Sequence, residues 1–289
     1  MTSVVPAEHS PYFTQRRALM KTLQQKKGFI CDMDGVIYHG NELLPGALEF
    51  VEWIKAEKKE FLFLTNNSQK SRHELQQKVQ RLGITVDAMF FYTTALATAR
   101  FLATQKPGGT AYVIGDAGLT NALYEAGYHF DDVEPDYVVV GETRSYSFEK
   151  IQQAITLVLN GAKLVGTNPD LLCPTDSGPI PGCGSTIAPI EYATGRKAFF
   201  MGKPNPLMIR HALRCLSCGR EETVFIGDQM ETDIIAGINA EVDTVLVLSG
   251  VTSEEDLVKY AYRPTYVIGG VGDIIKGLNK FDDEALKAP

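Results

Sequence analysis

Two carboxylates, Asp32 and Asp34, end the apolar run of the segment FICDMDGVIYHG (residues 29–40), and Gly35 follows them directly. Like charges this close repel, and a carboxylate at the end of a buried strand gives up hydration, so the pair needs a compensating cation or a shared task. Three more polar clusters follow along the chain: Thr65-Asn66-Asn67, Lys203-Pro204, and Gly227-Asp228 with Asp233. Together these residue types suit phosphoryl chemistry. Asp32 offers a nucleophilic carboxylate that can accept a phosphoryl group as an aspartyl phosphate. Asp34, at the turn that Gly35 permits, can protonate a leaving group and later activate water. Asp228 can join Asp32 in holding a hard divalent cation, and Mg²⁺ prefers oxygen ligands and also contacts phosphate. Lys203 can neutralise charge on Asp32 and on phosphoryl oxygens. Thr65 and the backbone N–H groups of Asn66 and Asn67, expected to open onto a helix N-terminus, suit a phosphate. A cation and a lysine would then be the compensation that the carboxylate pair requires.

Each cluster has a plainer reading on its own. A DxD can be a solvated loop pair, Thr-Asn-Asn a helix cap, Gly-Lys-Pro a turn, and Gly-Asp the ordinary end of a strand. Their order, and their position after apolar strands, favours the joint reading.

The elements that must position them alternate between strand and helix. GFIC (28–31), FLFLT (61–65), AYVIG (111–115), YVVVG (137–141), KLVGT (163–167), TVFIGD (223–228), DTVLVL (243–248) and TYVIGG (265–270) read as buried strands. Between them, Ala47, Phe50, Val51 and Ile54 after Pro45-Gly46, Leu75, Val79 and Leu82 before Gly83, and residues 147–161 follow helical spacing. Strand–helix alternation predicts an α/β fold, a Rossmann-like parallel sheet with helices on both faces. In such a sheet ligands gather at the carboxyl ends of the strands, where sequence-distant residues can pool. The turn-rich stretch 167–186 interrupts the alternation, and long irregular stretches inside compact proteins are usually functional.

Composition excludes several classes. With 44% apolar and 22% charged residues, the chain has the balance of a soluble globular protein. A net charge of −7, with no long Lys/Arg cluster, argues against a nucleic-acid polymer as partner. No apolar run is long enough for a membrane span, and residues 1–25 lack the apolar centre of a signal peptide, so a cytoplasmic location is expected. Five cysteines, an odd number, speak against a disulfide framework. Cys215 and Cys218 have CxxC spacing, but no second pair completes a zinc site, and they read as ordinary helix residues.

DMDGV, LTNN, GKP and GDxxxTD, in this order, resemble the four motifs of the haloacid dehalogenase superfamily of phosphatases. VGETRSYSF, GTNPDLLCP, GKPNP and GDQMETDIIAG are similar to the signatures of its NagD-like branch. The resemblance runs from about residue 27 to near the end. It implies a core of residues 1–94 and 198–289, with residues 1–25 as an N-terminal extension, and an inserted α/β cap at 95–197. It implies Asp32 as nucleophile and Asp34 as general acid/base. The metal ligands would be the Asp32 and Asp228 carboxylates with the Asp34 backbone carbonyl, and Asp233 would support the metal's water or Lys203 from behind. Thr65, Asn66 and Lys203 match the phosphate-holding positions. A homodimer through the cap is one arrangement the resemblance allows.

In this family the cap reads the leaving group. Asn168, Asp170 and Cys173 resemble the loop that enters the active site; Asn168 and Asp170 also fit an Asx-Pro turn, and Cys173 a small buried filler. Arg144 reads either as a second anion clamp or as a surface ion-pair residue. The resemblance implies Mg²⁺-dependent hydrolysis of small phosphomonoesters, with nucleoside 5′-monophosphates favoured over sugar phosphates, phosphoglycolate or aryl phosphates. The rivals from other classes are a phosphotransferase and an aspartyl-phosphate signalling protein; a receiver domain needs about half this length and no cap.

Overall fold

A computed structural model describes residues 21–173 and 178–276. In chain order its strands are β1 (Gly28–Cys31), β2 (Tyr38–His39), β3 (Glu42–Leu43), β4 (Glu60–Thr65), β5 (Phe91–Thr93), β6 (Thr110–Ile114), β7 (His129–Phe130) and β8 (Tyr137–Val140). They continue with β9 (Lys163–Gly166), β10 (Leu172–Cys173), β11 (Ile180–Pro181), β12 (Phe199–Phe200), β13 (Thr223–Gly227), β14 (Asp243–Val247) and β15 (Tyr266–Ile268). The chain divides into two compact units, one built on residues up to Phe61 and from Leu216, the other on Leu62–Cys215.

In the first unit β15, β14, β13 and β1 lie side by side, all parallel. Cys31 sits opposite Ile226, and Gly227 opposite Leu246. Every residue of β1 and β13 is buried. That explains the unbroken apolar runs, since a parallel strand covered on both faces has no reason to alternate. The Ala47–Ala56 helix starts after Gly46, whose φ of 81° is a conformation open to glycine. The apolar positions expected from helical spacing, Ala47, Phe50, Val51 and Ile54, are all buried, and Trp53 joins them. Phe29 of β1 meets Phe50 and Trp53 edge-on, with ring centroids 6.0 and 5.6 Å apart. This aromatic contact anchors the strand that leads to Asp32.

In the second unit β4 and β5 pair in parallel, and five parallel strands form a sheet in the order β12-β9-β8-β6-β7. Successive residues of β8 serve opposite faces, as strand geometry requires. Val139 packs with Leu102, Leu119 and Leu123 from the Thr94–Gln105 and Ala117–Glu125 helices. Val138 and Val140 pack with Leu157, Ile187 and Ile190 from the Phe148–Leu159 and Cys183–Thr194 helices. The architecture is the expected one: α/β, with parallel sheets flanked by helices.

Three local expectations change. The helix expected straight after Asn66-Asn67-Ser68 begins instead at Arg72, because Ser71 forms a reciprocal capping box with Glu74. Cys215 and Cys218 fall in the turns after the Pro206–Leu213 helix, not within it, and all five cysteines are free. Within the stretch 167–186, β10 and β11 form a short antiparallel pair, and a helix has begun by Cys183. Of the N-terminal extension, residues 21–25 are helical, and residues 1–20 lie outside the described residues. Among the described residues no helix is long and apolar enough to cross a membrane.

Phe50→Ala removes the centre of the aromatic contact and should cost about 3–5 kcal/mol of unfolding free energy. Ser71→Ala removes only a cap and should cost about 1 kcal/mol. Urea midpoints at constant m-value measure both, and equal losses would contradict this ranking.

Candidate active site

The first unit carries a carboxylate cluster at the carboxyl ends of its strands. Asp32 follows β1 and Asp228 follows β13, and each accepts its place from the register that sets Cys31 beside Ile226. The Asp32 N–H donates to the Ile226 carbonyl at 2.8 Å, so the ladder continues one residue past the strand. Asp233 returns to the same place through a π-helical turn, Met230–Ile234. One of its oxygens, Oδ2, accepts the N–H groups of Asp228 and Gln229 at 3.1 and 3.0 Å. Each of the three acids offers an oxygen within 4.8 Å of the others. They are buried, with 8%, 1% and 0% relative exposure for Asp32, Asp228 and Asp233.

Charged carboxylates at that spacing repel by roughly 3 kcal/mol per pair at an effective dielectric near 20. An all-oxygen donor set of this charge and compactness fits a hard divalent cation. Glycines make room for it. A Cβ on Gly35 (φ 76°) or on Gly250 would collide with the Asp228 carboxylate, and one on Gly227 would collide with Asp233. The Val251 N–H donates to Asp228 Oδ2 at 2.8 Å, and the Ser249 hydroxyl donates to the Gly35 carbonyl at 2.8 Å. The loop after β14 therefore holds both Asp228 and the turn after Asp34. Sequence reading passed over this loop, although Ser249-Gly250 after an apolar strand was its signal.

Asp34 stands apart from the buried acids. Its side chain is 51% exposed, with His39 Nδ1 at 3.6 Å from Oδ1. The Met33 carbonyl accepts N–H groups from Val36, Ile37 and Tyr38, and Gly35 N–H donates to the Tyr38 carbonyl. This tight loop turns Asp34 outward while Asp32 stays buried. One short segment thus presents two acids in two environments, one buried and one at the surface, which suits them to different roles.

The second unit holds the remaining candidates in a hydrogen-bonded network. The Asn66 side chain is spent on it: Oδ1 accepts the Lys203 N–H at 2.9 Å, and Nδ2 donates to the Lys203 carbonyl at 3.2 Å and to Asp170 Oδ2 at 2.9 Å. Lys203 is 2% exposed. The Asn67 N–H donates to Thr65 Oγ1 at 3.1 Å, and Asn67 Oδ1 accepts from Gln69 and Lys70, an Asx turn. Thr65-Asn66-Asn67 is consequently a turn that shapes Lys203, not a helix N-terminus. Asn168 is fully buried; its amide donates to the Asn66 carbonyl at 2.7 Å and to Glu142 Oε1 at 2.6 Å, while its Oδ1 accepts the Asp170 N–H. Cys173 is half-buried, with Sγ 3.9 Å from Glu142 Oε1, and burial, then Glu142 and Asp170, push its thiol up to about 12. Arg144 is exposed.

Glu142 was not singled out in the sequence, although it follows β8 and its glycine just as Asp228 follows β13. It is 4% exposed, and its Oε2 accepts both the N–H and the hydroxyl of Ser68, at 2.7 and 2.6 Å. Burial raises the proton affinity of its carboxyl above the ordinary glutamate range; the Ser68 and Asn168 donors pull the other way, and Asp170 adds to the rise.

A family model described as haloacid dehalogenase-like hydrolase matches residues 29–129, and a second HAD-hydrolase-like model matches residues 200–274. The chain is 44% identical over 262 residues to dihydroxyacetone phosphatase of Corynebacterium glutamicum, covering 90% of this chain and 95% of the relative. It is 43% identical over 248 residues to ribonucleotide monophosphatase NagD of Escherichia coli K12, covering 86% and 98%. The solved structure of NagD from that strain has a TM-score of 0.82 at 42% identity, covering 86% of this chain and 98% of that one. The chain therefore belongs to the haloacid dehalogenase-like hydrolases, in their NagD-like branch. It is a phosphomonoester hydrolase.

The glycine room around Asp228 is testable. Gly250→Ala needs no unusual backbone angle, so its effect is the collision alone. Displacing Asp228 should weaken divalent-cation affinity and lower phosphate release by up to about a hundredfold. Gly219→Ala, whose Cβ would meet Glu222 at an ordinary 3.9 Å, should change neither. Equal behaviour of the two variants would show that the carboxylate cluster tolerates displacement.

Proposed function

We propose that this enzyme hydrolyses nucleoside 5′-monophosphates with Mg²⁺, through an aspartyl phosphate on Asp32. The observation that carries the chemistry is the buried cluster of Asp32, Asp228 and Asp233, with an exposed acid two residues after the first. An Asp32 oxygen attacks phosphorus as the ester oxygen leaves, and Asp34 gives that oxygen its proton. Asp34 then takes a proton from water, which attacks phosphorus, releases inorganic phosphate and restores the Asp32 carboxylate. The Asp32 and Asp228 carboxylates and the Asp34 carbonyl, with Asp233 behind, would hold Mg²⁺, which would supply neutralisation of phosphate charge. Lys203 and Thr65 hold the phosphoryl oxygens, a role that rests on the family motifs they match. The Asn66 side chain, which the motifs place with them, is bonded to the Lys203 backbone, and the Asn67 N–H to Thr65, and these two fix them in place.

Residues 95–197 are the cap in this reading, and Asp170 and Cys173 contact the leaving group. With its amide and carbonyl both engaged, Asn168 supports that loop from within. The ribonucleotide specificity in the name of the Escherichia coli relative supports nucleotides, and the reading puts the enzyme in the cytoplasm, as a homodimer through the cap. A second reading, hydrolysis of small sugar phosphates, is supported by the identity to dihydroxyacetone phosphatase. Phosphate release from UMP, GMP, dihydroxyacetone phosphate and p-nitrophenyl phosphate separates the two: nucleotides should give the highest kcat/KM, and a higher value for the triose phosphate would replace the first reading with the second.

Two variants test the division of labour. Asp32→Asn should reduce turnover to background, since it removes the attacking charge and a metal ligand. Asp34→Asn should keep Mg²⁺ and phosphate binding yet slow turnover by about 10²–10⁴-fold, most for poor leaving groups. If Asp34→Asn lost Mg²⁺ affinity as badly as Asp228→Ala, its assignment as proton donor would be wrong.

A further inference from the structure

Glu142 is a buried carboxyl group that the chemistry above does not use. Four protein groups converge on its two oxygens: the Ser68 N–H, the Ser68 hydroxyl, the Asn168 amide and, at 3.9 Å, the Cys173 thiol. Its own N–H donates to Ser68 Oγ at 3.1 Å, so Glu142 and Ser68 hold each other twice over. Thr167 donates to the same Ser68 oxygen at 3.2 Å. An apolar residue here would avoid burying a polar group, so placing an acid here carries a cost. What it gains is geometry, because charge-assisted hydrogen bonds are short and directional.

The far side of the network shows what that geometry serves. The second amide proton of Asn168 goes to the Asn66 carbonyl, which also accepts the Thr94 hydroxyl at 2.6 Å. Asn66 in turn brackets the backbone of Lys203 from both sides, through its N–H and its carbonyl. Ser68, clamped by Glu142, lies two residues after Asn66. The Asn66 turn is therefore fixed at both ends by one carboxylate.

We propose that Glu142 is a positioning residue for phosphoryl transfer, holding the Asn66 turn, and with it the Lys203 backbone, through Ser68 and Asn168. The inference rests on the phosphatase reading, in which Lys203 meets the transferred group. It predicts a loss in the chemical step on every substrate, p-nitrophenyl phosphate included, because Lys203 serves the phosphoryl group whatever the leaving group.

Glu142→Gln is nearly isosteric but cannot satisfy the site. Whichever way the amide turns, its N–H₂ faces either the Ser68 N–H or the Asn168 amide, donor against donor. Glu142→Gln should lower kcat by about tenfold to a hundredfold on both UMP and p-nitrophenyl phosphate, with KM for p-nitrophenyl phosphate changed by less than about threefold. Ser68→Ala, which removes one donor and leaves the acid, should give a smaller loss of the same kind, and the double variant should be little worse than Glu142→Gln alone. Hydrogen exchange of the Ser68 amide should quicken in Glu142→Gln. Unchanged kcat, a loss on UMP with none on p-nitrophenyl phosphate, or additive losses in the double variant would each overturn the proposal. If Glu142→Gln does not fold, Ser68→Ala decides, and wild-type kcat there overturns it. Absence of phosphate release from the wild type would instead defeat the phosphatase reading, and Ser68 amide exchange would still show whether Glu142 holds the turn.

Discussion

Three carboxylates that repel one another are buried together where two adjacent parallel strands end, and much of the first unit is arranged to make that tolerable. The ladder between β1 and β13 fixes Asp32 and Asp228 in register. The π-helical turn brings Asp233 back under Asp228, where backbone N–H groups take one of its oxygens. Glycines at 35, 227 and 250 leave the space that side chains would fill. Hydrogen bonds offset part of the repulsion, and a divalent cation is the partner whose charge matches the rest. The site is costly to build, and that cost is a reason to assign it chemistry.

The second unit follows a related rule with a different balance. Among the described residues its buried acid, Glu142, is single and is met by donors from Ser68, Asn168 and Cys173. Its polar groups hold one another in a network that ends on the backbone of Lys203. A network in which every donor finds an acceptor rigidifies what it holds, whereas one left half-satisfied would cost stability. The aliphatic packing on both faces of the five-stranded sheet gives this network a firm base, since Val138, Val139 and Val140 lock β8 immediately before Gly141 and Glu142.

Much of this was legible in the sequence because parallel strands covered on both faces announce themselves as unbroken apolar runs. The residue after such a run lies at the ligand-bearing end, so Asp32 and Asp228 could be picked out by position alone. Helix starts were harder. Asn67 and Ser71 are both good capping types, and only the reciprocal bond between Ser71 and Glu74 decides for the later one. Glu142 was missed because its partners are remote in sequence, Ser68 lying 74 residues away, and no local pattern announces such a bond. Gly250 was missed for a similar reason: its role is to be absent from space that Asp228 occupies, which a spacing rule does not reveal. CxxC misled in a smaller way, since helical spacing continued on paper beyond the Pro206–Leu213 helix.

The central claim is that Asp32, alone among these acids, receives the phosphoryl group. An acyl phosphate is reduced by borohydride to the alcohol, so trapping during turnover should convert the acceptor aspartate to homoserine. Enzyme mixed with p-nitrophenyl phosphate and Mg²⁺, quenched in acid, treated with borohydride and analysed by peptide mass spectrometry should carry homoserine at position 32, and none without substrate. Homoserine at position 34, 228 or 233 instead, or an unmodified chain during demonstrated turnover, would contradict the account.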